Sequence, residues 1–79
     1  MLYDRLRKSI NEQKKNVRKD KNMSDVDKEK LLSFLFFKQE ELSIANDLLY
    51  PDEILDRIWL AETEGDVTRA MMAGRARIA

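Results

Sequence analysis

Residues 31–37 read Leu31-Leu32-Ser33-Phe34-Leu35-Phe36-Phe37 and hold all three phenylalanines of the 79-residue chain. No Gly or Pro interrupts the sequence between Ser24 and Tyr50, and charged residues flank the block, so the local reading is helical. At about 100° per residue, seven consecutive helical positions point to every side. Six of the seven are apolar, so no single buried stripe can hide them. The block needs cover from at least two directions, by its own chain, by a second copy or by a partner.

Working outward, Ser24 is a good N-cap, and Asp27 stands at the capping-box distance behind it. The spacing predicts a helix over 24–49, about 38 Å long. Its main stripe is Leu31, Phe34, Leu35, Leu42, Ala45, Leu48 and Leu49, flanked by Phe37 and Ile44. Leu32 and Phe36 fall away from the stripe's centre, four residues apart and adjacent on the helix surface. They are the residues that require the second cover.

Upstream, 2–19 reads as a surface helix with Leu2, Leu6, Ile10 and Val17 in line, Tyr3 beside them and Gln13 filling the missing step. Downstream, Tyr50-Pro51 ends the long helix, because the residue before proline avoids the α region. A third helix is expected over 51–63, with Ile54, Leu55, Ile58, Trp59 and Ala61 as its apolar face and Gly65 as C-cap. Asp66 is the expected N-cap of a last helix over 66–77, in which Val67, Ala70, Met71, Gly74 and Ile78 share a face. The fold class is all-α: one small domain over 1–79, with three or four helices built on a long central one.

Composition narrows function. There is no cysteine and no histidine, which removes disulfides, thiolate nucleophiles and the commonest general base and metal ligand. Ser9, Ser24, Ser33 and Ser43 have no histidine to activate them. The single glycines form no phosphate-cradling loop, and Asp25-Val26-Asp27-Lys28-Glu29 departs from a calcium loop at Lys30 and Phe36. The expectation is a non-enzymatic protein without cofactor or metal. No apolar run is long enough for a membrane span or a secretory leader, so a cytoplasmic location is expected.

The net charge of zero hides a partition. Residues 1–21 carry eight bases and three acids, 22–68 carry four and twelve, and 69–79 carry three arginines and no acid. Basic ends packed near the acidic middle are the preferred reading; a basic face for nucleic acid is the alternative. Gly65-Asp66-Val67-Thr68-Arg69-Ala70-Met71-Met72-Ala73-Gly74 resembles the first helix and turn of Fis-type helix-turn-helix domains, where a Gly-x-x-Thr-x-Ala pattern opens a helix closed by glycine. That resemblance implies nucleic-acid binding. Only five residues follow Gly74, fewer than a recognition helix needs, so a capped terminal helix is preferred.

The leading expectation is a protein-binding module, a small regulator or inhibitor that occupies a partner surface, with a homodimer as one form. Leu32, Phe36 and Trp59 are the expected anchors, and Glu40, Asp47, Asp52, Asp56 and Glu62 the acidic rim that steers encounter. The alternative is a nucleic-acid-binding accessory protein using Arg5, Lys8, Lys15, Arg18, Arg75 and Arg77. A structural or assembly component is the third reading.

Overall fold

The longest helix begins at its capping signal: the Ser24 hydroxyl accepts from the Asp27 N–H at 3.1 Å, with Asp25 and Asp27 at the positive end. The computed structural model describes residues 1–78. They form four helices, α1 Leu2–Lys19, α2 Asp25–Asp47, α3 Asp52–Leu60 and α4 Glu64–Ile78. Among the described residues there is no strand, and no helix is long and apolar enough to cross a membrane. The chain is an all-α domain with α2 as its longest member.

The helix ends follow local chemistry, in three places against expectation. The long helix stops at Asp47, short of 49, in a Schellman arrangement. The Tyr50 N–H donates to the Ala45 carbonyl at 3.0 Å and the Leu49 N–H to Asn46 at 3.1 Å. Leu49 takes a positive φ of 59°, the position usually given to glycine. The last helix starts earlier than expected, because Thr63 and not Asp66 is the cap. Its hydroxyl accepts from the Asp66 N–H at 3.1 Å, placing Gly65 in the first turn of α4 instead of at the end of α3. The third helix closes at Leu60, with Ala61 as its C-cap.

Side-chain contacts give the topology. Lys28 Nζ donates to the Arg18 carbonyl at 3.3 Å, while Tyr3 and Arg7 lie beside Ser43 and Ile44, so α1 runs antiparallel along α2. Lys38 reaches the Trp59 and Ala61 carbonyls, so α3 returns antiparallel to α2. Tyr50 lies against Gly74, so α4 runs in the same direction as α2. Both α2 and α3 touch all the other helices, whereas α1 and α4 do not meet. The result is a plate with extents of 45 × 25 × 15 Å.

The core joins Leu6 and Ile10 of α1, Leu35 and Leu42 of α2, Ile54 and Ile58 of α3, and Val67 and Ala70 of α4. Each fully buried large aliphatic stabilises the fold by roughly 1.5–3 kcal/mol gross. The missing step of the α1 stripe is filled by Lys14, which is buried, and not by Gln13, which is exposed. Along α2 the expected stripe is only partly right. Leu35, Leu42 and Ala45 are buried and Phe34 and Phe37 half-buried, but Leu31, Ile44, Leu48 and Leu49 are exposed. The expected face of α4 holds at Val67, Ala70 and Gly74; the side chain of Ile78, assigned to the same face, lies outside the described residues.

Candidate protein-binding surface

The apolar block on α2 divides between its two neighbours. Leu35 is core, and Leu32 is half-buried against that core. Phe36 remains 50% exposed, and what covers it is a lysine. Lys14 Nζ stands 4.3 Å from the Phe36 ring centroid and donates to Gln39 Oε1 at 2.5 Å. Burial, and then the nearby Arg18 charge, hold the Lys14 ammonium below the usual lysine pKa. A cation over a ring face contributes about 0.5–2 kcal/mol, and the lysine stem adds apolar cover. The second cover therefore comes from α1, and it leaves one side of Phe36 in solvent.

The opposite flank of α2 carries a second lysine that composition alone assigns to the surface. Lys38 is only 5% exposed. Its Nζ donates to the Trp59 carbonyl at 2.7 Å and the Ala61 carbonyl at 2.8 Å, satisfying the C-terminal end of α3. The Phe34 and Trp59 ring centroids stand 4.9 and 5.6 Å from it. Burial pushes its pKa down. Lys38 is thus the peg that fixes the α3–α4 connection to α2.

These two lysines separate the expected anchors. Phe36 and Lys38 are two positions apart, which is about 200° around a helix. Trp59 sits with Lys38 and Phe34, half-buried on the far flank from Phe36. Leu32, Phe36 and Trp59 therefore do not form one surface. The acids divide too: Glu40 shares a shallow groove with Phe36 and Ile44, and exposed Asp47 follows Ile44 by one turn. Asp52 and Asp56 are exposed, each two positions from the buried Ile54 of α3, and point away from its core face. Glu62 borders a groove of about 450 Å³ beside Lys38, Phe34 and Val17.

The basic set is dispersed as well. Arg5, Lys8, Lys15 and Arg18 are exposed on α1, but Arg75 lies beside Leu48 and belongs to α4, which does not meet α1. Arg77 is committed to Glu53 through bonds of 2.7 and 2.9 Å, which hold the Glu53 carboxyl below its usual range and raise the guanidinium. The Fis-type resemblance fails at its turn, since α4 continues through Gly74 to Ile78 without a break. Of the expected charge cancellation, the Arg77–Glu53 pair is one instance; the other ion pair among the described residues, Arg69–Asp66, is local to α4.

A different surface emerges at the C-terminal half of α2. Ile44 and Leu48 face a groove of about 430 Å³ whose other wall is Met71, Met72 and Arg75 of α4. Leu48 is 51% exposed, Met72 64% and Leu49 86%. Ile44 borders both this groove and the one containing Phe36, so the apolar surface is continuous. Sequence reasoning placed Leu48 and Leu49 in the core. The available signal was the Leu48-Leu49-Tyr50 run before Pro51, where three consecutive apolar residues at a helix end cannot all turn inward. No three carboxylates among the described residues converge to hold a cation. Comparison with protein-family models, with curated proteins and with solved structures finds no match to this chain.

Proposed function

We propose that this chain is a non-enzymatic protein-binding module that acts by occupying a partner's surface with the apolar patch at the C-terminal half of α2. The patch comprises Phe36, Ile44, Leu48, Leu49 and Met72. The observation that carries the reading is Leu49. A bulky side chain in the left-handed region costs roughly 1–2 kcal/mol, and at 86% exposure its burial returns almost nothing to the fold. Glycine would serve the turn better, so the leucine is explained by a contact outside this chain. Its neighbours supply the contiguous exposed apolar area that marks interaction surfaces. Met71 and Met72 add adaptable walls.

The reading differs from the sequence expectation in its anchors. Trp59 and Leu32 belong to the fold, and Phe36 is kept at the edge of the patch. Regulation, inhibition or assembly would all follow from occlusion of whatever site the patch covers. The nucleic-acid alternative receives no comparable support, because its six basic residues sit on separate parts of the plate.

Site-specific photo-crosslinking tests the reading. A photoreactive residue at position 49, expressed in the native host, should give a discrete adduct, whereas the same residue at position 8 on the outer face of α1 should not. Equal labelling from both positions, or none from 49, would show that the patch is not a binding surface. An adduct containing only this chain identifies a homodimer.

A further inference from the structure

We infer that the occupant of the α2–α4 groove is a lysine- or arginine-rich amphipathic helix of another protein. This rests on the reading that the patch binds protein, and adds the chemistry of the partner. From Gln39 to Asp56 the chain carries six acids and no Lys or Arg. That interval contains the exposed Ile44, Leu48 and Leu49. Glu41 lines the groove itself, Glu40 lines the adjoining one and Asp47 is exposed beside Leu48. None of these three has an ion-pair partner among the described residues. The last turn of α2 has no basic residue, so the negative end of its dipole adds to the same field.

Shape and sign together select the partner. The groove is formed by one turn-spaced row on each of two parallel helices, Ile44 and Leu48 on α2, Met71 and Arg75 on α4. Such a channel accepts apolar side chains at i, i+3 and i+4 of a third helix. The cations of that helix, flanking its apolar stripe, would then meet Glu40, Glu41 and Asp47. A second copy is a poorer occupant: pairing α2 with another α2 brings these acids against each other, and the chain's own basic amphipathic helix, α1, has its apolar face buried. Phosphates of nucleic acid or anionic lipid carry the wrong sign for this face. Arg75, on the opposite wall, gives the groove one basic edge and so one preferred orientation for the bound helix.

The test uses two synthetic helical peptides, each roughly five turns long, with the same leucine stripe and polar faces built from lysine only or glutamate only. Titration is followed by fluorescence anisotropy against the full chain. The lysine-faced peptide should bind about tenfold tighter or more. Leu49→Gly should weaken that binding by about fivefold or more, the size of an interface anchor, without lowering thermal stability. The double substitution Glu40→Lys with Glu41→Lys should reverse the preference. Equal affinity for both peptides, a preference for the glutamate face, or indifference to the charge reversal overturns the inference. So does concentration-dependent dimerisation abolished by Leu49→Gly, which would make a second copy the occupant. Failure of both peptides, alongside a specific crosslinked adduct at position 49, rejects the basic helix while leaving protein binding intact.

Discussion

The ring of Tyr50 lies so close to Gly74 that a Cβ at position 74 would stand 2.5 Å from Cδ2 and 3.0 Å from Cγ. Tyr50 is itself buried and follows the left-handed turn that ends α2, so the ring is held from the backbone outward. This contact docks the C-terminal part of α4 onto the end of α2. It also explains a glycine inside a helix, where glycine otherwise costs about 1 kcal/mol relative to alanine.

Gly74→Ala should therefore destabilise, despite the better helix former. Overpacking costs about 1–3 kcal/mol against about 1 kcal/mol gained in propensity. The expected net loss is about 1 kcal/mol, or roughly 4–8 °C in Tm for a domain of this size. A thermal melt decides; a raised Tm would mean that the ring swings aside freely.

Leu49→Gly should have the opposite sign. Relief of the left-handed strain returns roughly 1–2 kcal/mol, offset by roughly 0.5–1 kcal/mol for the added freedom of glycine in the unfolded chain. The expected outcome is a gain of about 0.5–1 kcal/mol in denaturant unfolding. A loss would show that the leucine packs on its own fold and would remove the argument for its external role.

The two buried lysines should respond unequally to methionine. Lys38→Met leaves the Trp59 and Ala61 carbonyls without their donor, at about 1–3 kcal/mol for each group cut off from water. Lys14→Met loses a bond to Gln39, which can turn to solvent, and retains apolar cover for Phe36. Its cost should be under about 1 kcal/mol. Equal losses in parallel urea titrations would refute the peg role assigned to Lys38.

Phe36→Asp should leave the helices intact. The ring is half-exposed, and a carboxylate there would face the Lys14 ammonium that now covers the ring. Circular dichroism should therefore retain its helical signal. Collapse of the helical signal would place Phe36 in the core.

The Arg77–Glu53 pair predicts a local acid response. The Glu53 carboxyl is held below its ordinary value of 4.5 chiefly by the hydrogen bonds from Arg77 and by that residue's charge. A carboxyl whose pKa is lowered by folding contributes stability above the unfolded value, and that contribution disappears as pH falls through the lower, folded value. The tie between α3 and α4 should survive at pH 4.5 and release below it. In a carbon-detected NMR titration the Glu53 midpoint should move back toward 4.5 in Arg77→Gln. No movement would mean that the pair does not persist in solution.

The elements with purely local causes were legible. Ser24 capping through Asp27, the end of the long helix before Pro51, and the apolar face of α3 each depend on residues within a turn or two of one another. Trouble began where one pattern allowed several solutions. Gln13 and Lys14 stand equally near the gap in the α1 stripe, and polarity gives no reason to bury the lysine; the Phe36 ring and Gln39 amide that receive it lie on another helix. Lys38 likewise looks like an ordinary surface cation until the carbonyl end of α3 arrives beside it. The candidate surface was the least legible part, because Leu48 and Leu49 read as core in any scheme that equates apolar with buried.

The sequence by itself determined that this is an all-helical chain, where its long helix begins, and that the 31–37 block exceeds one buried stripe, because spacing, caps and proline act over a few residues. Only the tertiary structure decided how the excess is handled. Leu32 is turned to the core, Phe36 is half-sheltered beneath Lys14, and Ile44, Leu48, Leu49 and Met72 are left exposed at the C-terminal end of α2 and on α4. The physical reason is that burial belongs to pairs of faces. Which side of α2 remains open depends on where α1 and α4 pack, and those two helices never meet across it.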